Sequence, residues 1–132
     1  MLPRQPSVFA LVVAVTMTAA GAGAEPPSNV TLPAGRVSSI LGRAVLDGKG
    51  TEIGPIVDVL VDGHGRPRVA VIDVGGFLGI GVRRVAVAWE TLRFERVDGA
   101  ARITEDLTMD EVAAAPEYKG SDGPVDAIGP RP

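Results

Sequence analysis

The chain has 132 residues, 45% of them hydrophobic and 22% charged, which suits one packed domain plus a targeting segment and argues against wholesale disorder. Its formal charge of −3 leaves no surplus of Lys and Arg for a phosphate backbone, and 4% aromatics supply no stacking surface for bases, so nucleic acid is not expected as a partner. The absence of cysteine and the single histidine rule out disulfides, lipid attachment through Cys, and soft-ligand zinc or copper centres.

Residues 1–24 read as a secretory signal. Arg4 gives a short basic start, Val8 to Ala20 an apolar run, and Ala22-Gly23-Ala24 the small-x-small pattern for cleavage. The apolar run is shorter than the roughly 20 residues of a membrane span, so an uncleaved anchor is the weaker reading. No membrane span is then expected after cleavage, and the product is periplasmic or secreted. Arg4 is the only charged residue of the segment, so its removal leaves the mature chain more acidic. Residues 25–37 follow as an extended linker marked by Pro26, Pro27 and Pro33.

The domain is expected over 38–115. Four turn signals divide it: Asp47-Gly48-Lys49-Gly50, Asp62-Gly63-His64-Gly65, the glycine-rich run Gly75 to Gly81, and Asp98-Gly99. Between them lie β-branched segments read as strands: Gly42 to Asp47, Glu52 to Asp62, Arg68 to Val74, Arg84 to Trp89, Thr91 to Val97 and Ala101 to Thr104. Pro55 cannot donate to a ladder and marks an edge or a bulge. Val85, Val87 and Trp89 share one face of their strand, which places Trp89 in the core, while Arg84, Ala86 and Ala88 face outward. Thr108 with Glu111 forms a capping box, and Leu107 with Val112 has the spacing of a hydrophobic staple. The short helix they start must stop before Pro116. Residues 116–132, rich in Gly, Pro, Ser and Asp, read as a disordered tail. The fold class is therefore mainly β, a small barrel or sandwich with one short C-terminal helix.

Nothing in the chain assembles a catalytic set. His64 sits in a glycine-flanked turn, poorly placed for chemistry. No serine stands in a nucleophile elbow. Asp47, Asp58, Asp62 and Asp73 lack the dense spacing of a calcium loop and read as turn and strand-end residues. The run Gly75-Gly76-Phe77-Leu78-Gly79-Ile80-Gly81 is followed by a strand rather than a helix, so it cannot cradle a phosphate. Phe77, Leu78 and Ile80 either fold under to plug one barrel end or stand out as a binding tip, and the plug is the expected state. No cofactor, metal site or enzymatic activity is expected.

The stretches Ile40-Leu41-Gly42-Arg43-Ala44-Val45, Glu52-Ile53-Gly54, Val57 to Asp62, Ala70 to Gly81 and Val85 to Trp89 together resemble the PRC-barrel family. Ala115-Pro116-Glu117-Tyr118 is similar to the tail of its exported members. The resemblance implies a small, strongly bent β-barrel. It also implies an interaction or scaffold module rather than a catalyst, since members include the cytoplasmic domain of the photosynthetic reaction centre H subunit and part of a ribosome maturation factor. Fold analogy names no partner. Another envelope protein or a second copy of the chain is the expectation for a scaffold, with a small ligand or cation as the alternative.

Overall fold

The computed structural model describes residues 2–4, 12–16, 23–75 and 81–132. The chain divides into two units, Met1–Thr31 and Leu32–Pro132. In the first unit the described residues are exposed and carry no helix or strand. Among the described residues no helix is long and apolar enough to cross a membrane.

The second unit holds six strands and one helix: β1 (Ala44–Leu46), β2 (Glu52–Val61), β3 (Pro67–Val74), β4 (Arg83–Ala88), β5 (Leu92–Val97), β6 (Ala100–Glu105) and α1 (Met109–Ala113). They form one sheet in the order β4-β3-β2-β1-β6-β5. All neighbours are antiparallel except β1 and β6, which run parallel. The expected strands are all present, with ends shifted by a residue or two. The sheet is not closed among the described residues, but it is strongly bent. The bend lies in β2, where Glu52, Gly54 and Pro55 pair with β1 and Ile56 to Val61 pair with β3.

The turns explain the strand ends. Asp47 Oδ1 accepts from the backbone N–H of Lys49 and Thr51, each at 2.9 Å. Asp62 Oδ1 accepts likewise from His64 at 2.8 Å and Arg66 at 3.1 Å. Both are Asp-Gly-x-Gly loops in which the carboxylate stands in for the missing ladder partner. The register of β2 slips between Ile56 and Asp58, so Pro55 marks a bulged, central strand and not an edge. Gly54 is required there by space: a Cβ at this position would lie 1.8 Å from the carbonyl oxygen of Asp73.

The core is aliphatic. Val45, Ile56, Ile72, Val85, Val87 and Val112 are wholly buried, with Ile53, Leu92, Ile103 and Leu107 beside them. The helix docks on this core through Val112, and its cap is as read from the sequence. Thr108 Oγ1 accepts from Glu111 N–H, and the Glu111 carboxylate accepts from Thr108 N–H. Arg83 satisfies the other end, donating to the carbonyls of Ala113 at 2.5 Å and Ala115 at 2.9 Å.

Two expectations are corrected. Trp89 is half-buried at the rim of the core, not inside it, because β4 ends at Ala88 and Trp89 to Thr91 form a short 3-10 turn. The stretch 116–132, expected as a disordered tail, lies along β4. Tyr118 N–H donates to Arg84, Ile128 N–H donates to Ala86, and Ala88 N–H donates to Ile128. Ile128 packs against the core, and Arg131 pairs with Glu111. Ala86 is buried although the alternation of β4 places it outward, and it stands opposite Val71, which is buried as well.

Candidate functional site: the free edge of β5

The glycine-rich loop is the site the sequence singles out. Gly75 has φ +102°, in the region that favours glycine, and a Cβ on it would stand 3.5 Å from the Gly81 carbonyl. The two ends of the loop therefore meet across the β3–β4 hairpin. Gly76, Phe77, Leu78, Gly79 and Ile80 lie outside the described residues, so neither the plug nor the tip is placed.

A second surface is in full view. The sheet has two outer strands, and they differ. β4 is covered by the C-terminal strap. β5 pairs with β6 on one side and, among the described residues, with no strand on the other. Beyond the buried Leu92, every residue of β5 is exposed.

The hairpin turn fixes which backbone groups that edge offers. Asp98 and Gly99 form a two-residue loop with φ of +50° and +78°, the signature of a type I′ turn. Val97 and Ala100, which flank it, then exchange hydrogen bonds, and alternation gives the same to Glu95 with Arg102 and Arg93 with Thr104. The N–H and C=O groups of Phe94 and Arg96 point the other way, out of the sheet.

The side chains alternate with them. Phe94 and Arg96 share the face of the buried Leu92; Arg93, Glu95 and Val97 lie on the other face. Phe94 is 45% exposed and packs on Trp89 with ring centroids 5.0 Å apart. The two rings line a groove of about 400 Å³ with Ile40, Ala101, Arg36 and Arg96. Arg96 donates to the Gly99 carbonyl and to Ser38 Oγ, both at 3.4 Å. Arg93 is held by Asp106, with Nε to Oδ1 at 2.6 Å, which raises the guanidinium pKa and lowers that of the carboxyl.

Beneath the edge lies an ionisable group that the sequence did not flag. Glu105, opposite Leu92 in the ladder, has a wholly buried side chain. Burial raises its pKa to about 7, against the lowering effect of hydrogen bonds from Thr91 and the backbone. Its oxygens lie 2.9 Å from Thr91 Oγ1 and 3.3 Å from Leu107 N, and Thr91 Oγ1 is 2.7 Å from the Ala88 carbonyl. A protonated Glu105 satisfies all of these at once: it donates to Thr91, Thr91 donates to Ala88, and Leu107 donates to the second carboxyl oxygen. The arrangement joins β6 to the turn before β5, and its residues do not line the Trp89–Phe94 groove. Its role is to hold the edge strand. Among the described residues no three His, Asp or Glu side chains gather as a metal site.

A bent six-stranded sheet around an aliphatic core, with a short docked helix and no catalytic constellation among the described residues, defines a small all-β module. The PRC-barrel domain model matches residues 34–109, more than half of the chain, and the chain belongs to the PRC-barrel domain family. No curated protein matches it in a sequence comparison.

Proposed function

We propose that this PRC-barrel protein is exported and works as a non-catalytic protein-interaction module whose contact surface is the free edge of β5 with the Trp89–Phe94 groove. The observation that carries the reading is the contrast between the two outer strands. One is strapped by the chain's own C-terminal segment, and the other presents backbone that no strand pairs among the described residues, beside a half-exposed aromatic. An added strand gains main-chain hydrogen bonds from such an edge, and the groove selects its side chains. Membership of the PRC-barrel family supports an interaction role. The non-catalytic half rests on the sequence, which has one histidine, no cysteine and no serine in a nucleophile turn. Export rests on the pattern of residues 1–24.

The test places a photo-crosslinking amino acid at Val97, exposed on the edge strand, and in a control at Asp58, exposed on the central strand β2. Irradiation of producing cells is expected to give covalent protein adducts from position 97 and not from position 58. Equal labelling from both positions, or none from 97, overturns the assignment of the surface.

A further inference from the structure

The β5 edge is self-complementary in the register centred on Phe94. We infer that the partner it takes is a second copy of the same chain, joined edge to edge by two antiparallel β5 strands about a two-fold axis at Phe94. This rests on the interaction surface proposed above and gives it an occupant.

Three constraints select the register. A two-fold axis normal to the sheet puts equivalent faces together, so the strand must be centred on one residue, not between two. Centring on Arg93, Glu95 or Arg96 brings that residue against its own copy, a like-charge pair that destabilises a sheet. Centring on Phe94 has no such conflict. It sets Arg93 opposite the partner's Glu95 and Glu95 opposite the partner's Arg93. Both ion pairs then fall on the outer face.

The backbone agrees with the same register. Phe94 offers an outward N–H and an outward C=O, so the central pair can exchange two hydrogen bonds. Arg96 N–H then reaches the partner's Leu92 carbonyl, and the symmetric bond makes four. The Leu92 N–H is already given to the Trp89 carbonyl and is not needed. Arg93 and Glu95 bond inward to β6, so they form the non-hydrogen-bonded pairs, in which side chains approach most closely. On the inner face, the rings of Phe94 from both copies meet and extend the line of Leu92 and Trp89 across the seam. An edge strand rich in charge ordinarily resists pairing with other strands. Here the order Arg-Phe-Glu sets unlike charges together in the register centred on Phe94 and like charges together in those centred on Arg93, Glu95 and Arg96.

So short a seam buries less than a stable obligate dimer needs, so association is reversible and set by concentration. Leu32–Pro132 is compact by itself, so residues 25–132 serve for the test. Sedimentation velocity from about 1 μM to about 1 mM should show a monomer passing into a dimer. Glu95→Arg and Arg93→Glu each turn both cross-strand pairs into like-charge pairs and should each weaken the dimer by about tenfold or more. Mixed together, the two variants restore both pairs and should form a heterodimer. The double exchange Arg93→Glu, Glu95→Arg in one chain should dimerise like the wild type, and Glu95→Arg, which leaves the Arg93–Asp106 pair in place, keeps the test sound if the chains with Arg93→Glu fold poorly. Three results overturn the inference: a wild type that stays monomeric throughout, single variants that dimerise as the wild type does, or a mixture that stays monomeric. A monomeric wild type that still gives adducts with a different protein at Val97 removes the second copy and leaves the interaction surface standing. A monomer with no adducts removes both.

Discussion

Glu105 carries a proton that the unfolded chain would release, and the sign of its effect on stability follows from that. An exposed glutamate titrates near 4.5, and Glu105 in the fold titrates at about 7. Below pH 4.5 both states hold the proton. Between 4.5 and 7 only the folded state does, so stability falls as pH rises through this window and levels off above it, by on the order of 3 kcal/mol. Glu111 acts in the opposite direction and lower down. Its hydrogen bond from Arg131 holds it at about 2, so its contribution is present above 4.5 and is lost as pH falls. Urea unfolding at a series of pH values should therefore place maximum stability near pH 4.5 to 5. The variant Glu105→Gln reproduces the donors and acceptors of the protonated acid, and it should flatten the slope between pH 5 and 7 and exceed the wild type at pH 8. Gly54 makes a second prediction at this scale. A methyl group there collides with the Asp73 carbonyl, so Gly54→Ala should cost about 3 kcal/mol or more in denaturant unfolding. That collision was not legible in the chain, where Gly54-Pro55 reads only as a break in strand regularity.

The elements themselves were well written into the sequence. Strands β1 to β6 follow from runs of β-branched residues cut by Asp-Gly turns, and each of those turns is built by its own carboxylate or glycine. The helix follows from Thr108 and Glu111, and Thr108→Ala should lower stability by about 1 kcal/mol in thermal or urea unfolding. Two features escaped. Trp89 carries the right parity for the core face of β4, but the strand ends one residue earlier, where Thr91 Oγ1 approaches the Ala88 carbonyl. The strap of 116–132 is held chiefly by main-chain bonds at Tyr118 and Ile128, which need no side-chain periodicity, so its composition disguised it. The β5 edge was half legible. Thr91 to Val97 reads as a strand with Leu92 and Phe94 on one face and Arg93 and Glu95 on the other, but a sequence gives no strand order, and an edge exists only once the order is known. The glycine loop was the opposite case, conspicuous in the chain while its apolar residues fall outside the described segment.

For the whole molecule, the first consequence concerns its maturation. Export with cleavage after Ala24 predicts that mass spectrometry of the envelope or secreted fraction finds an N-terminus at Glu25, and an intact Leu2 terminus there would reject it. The second concerns how far association can go. A sheet with two open edges is bifunctional, and units of that kind add end to end without limit, as in step-growth polymerisation. The C-terminal strap caps one of the two functions. What remains is a monofunctional unit, for which pairing is also termination and the largest product is two. Chains cut after Ala115 regain the second function. Light scattering should then rise without plateau as their concentration increases, while the full-length protein levels off at the mass of a pair. On the edge-to-edge pairing inferred above, residues 116–132 would set the valence of the molecule.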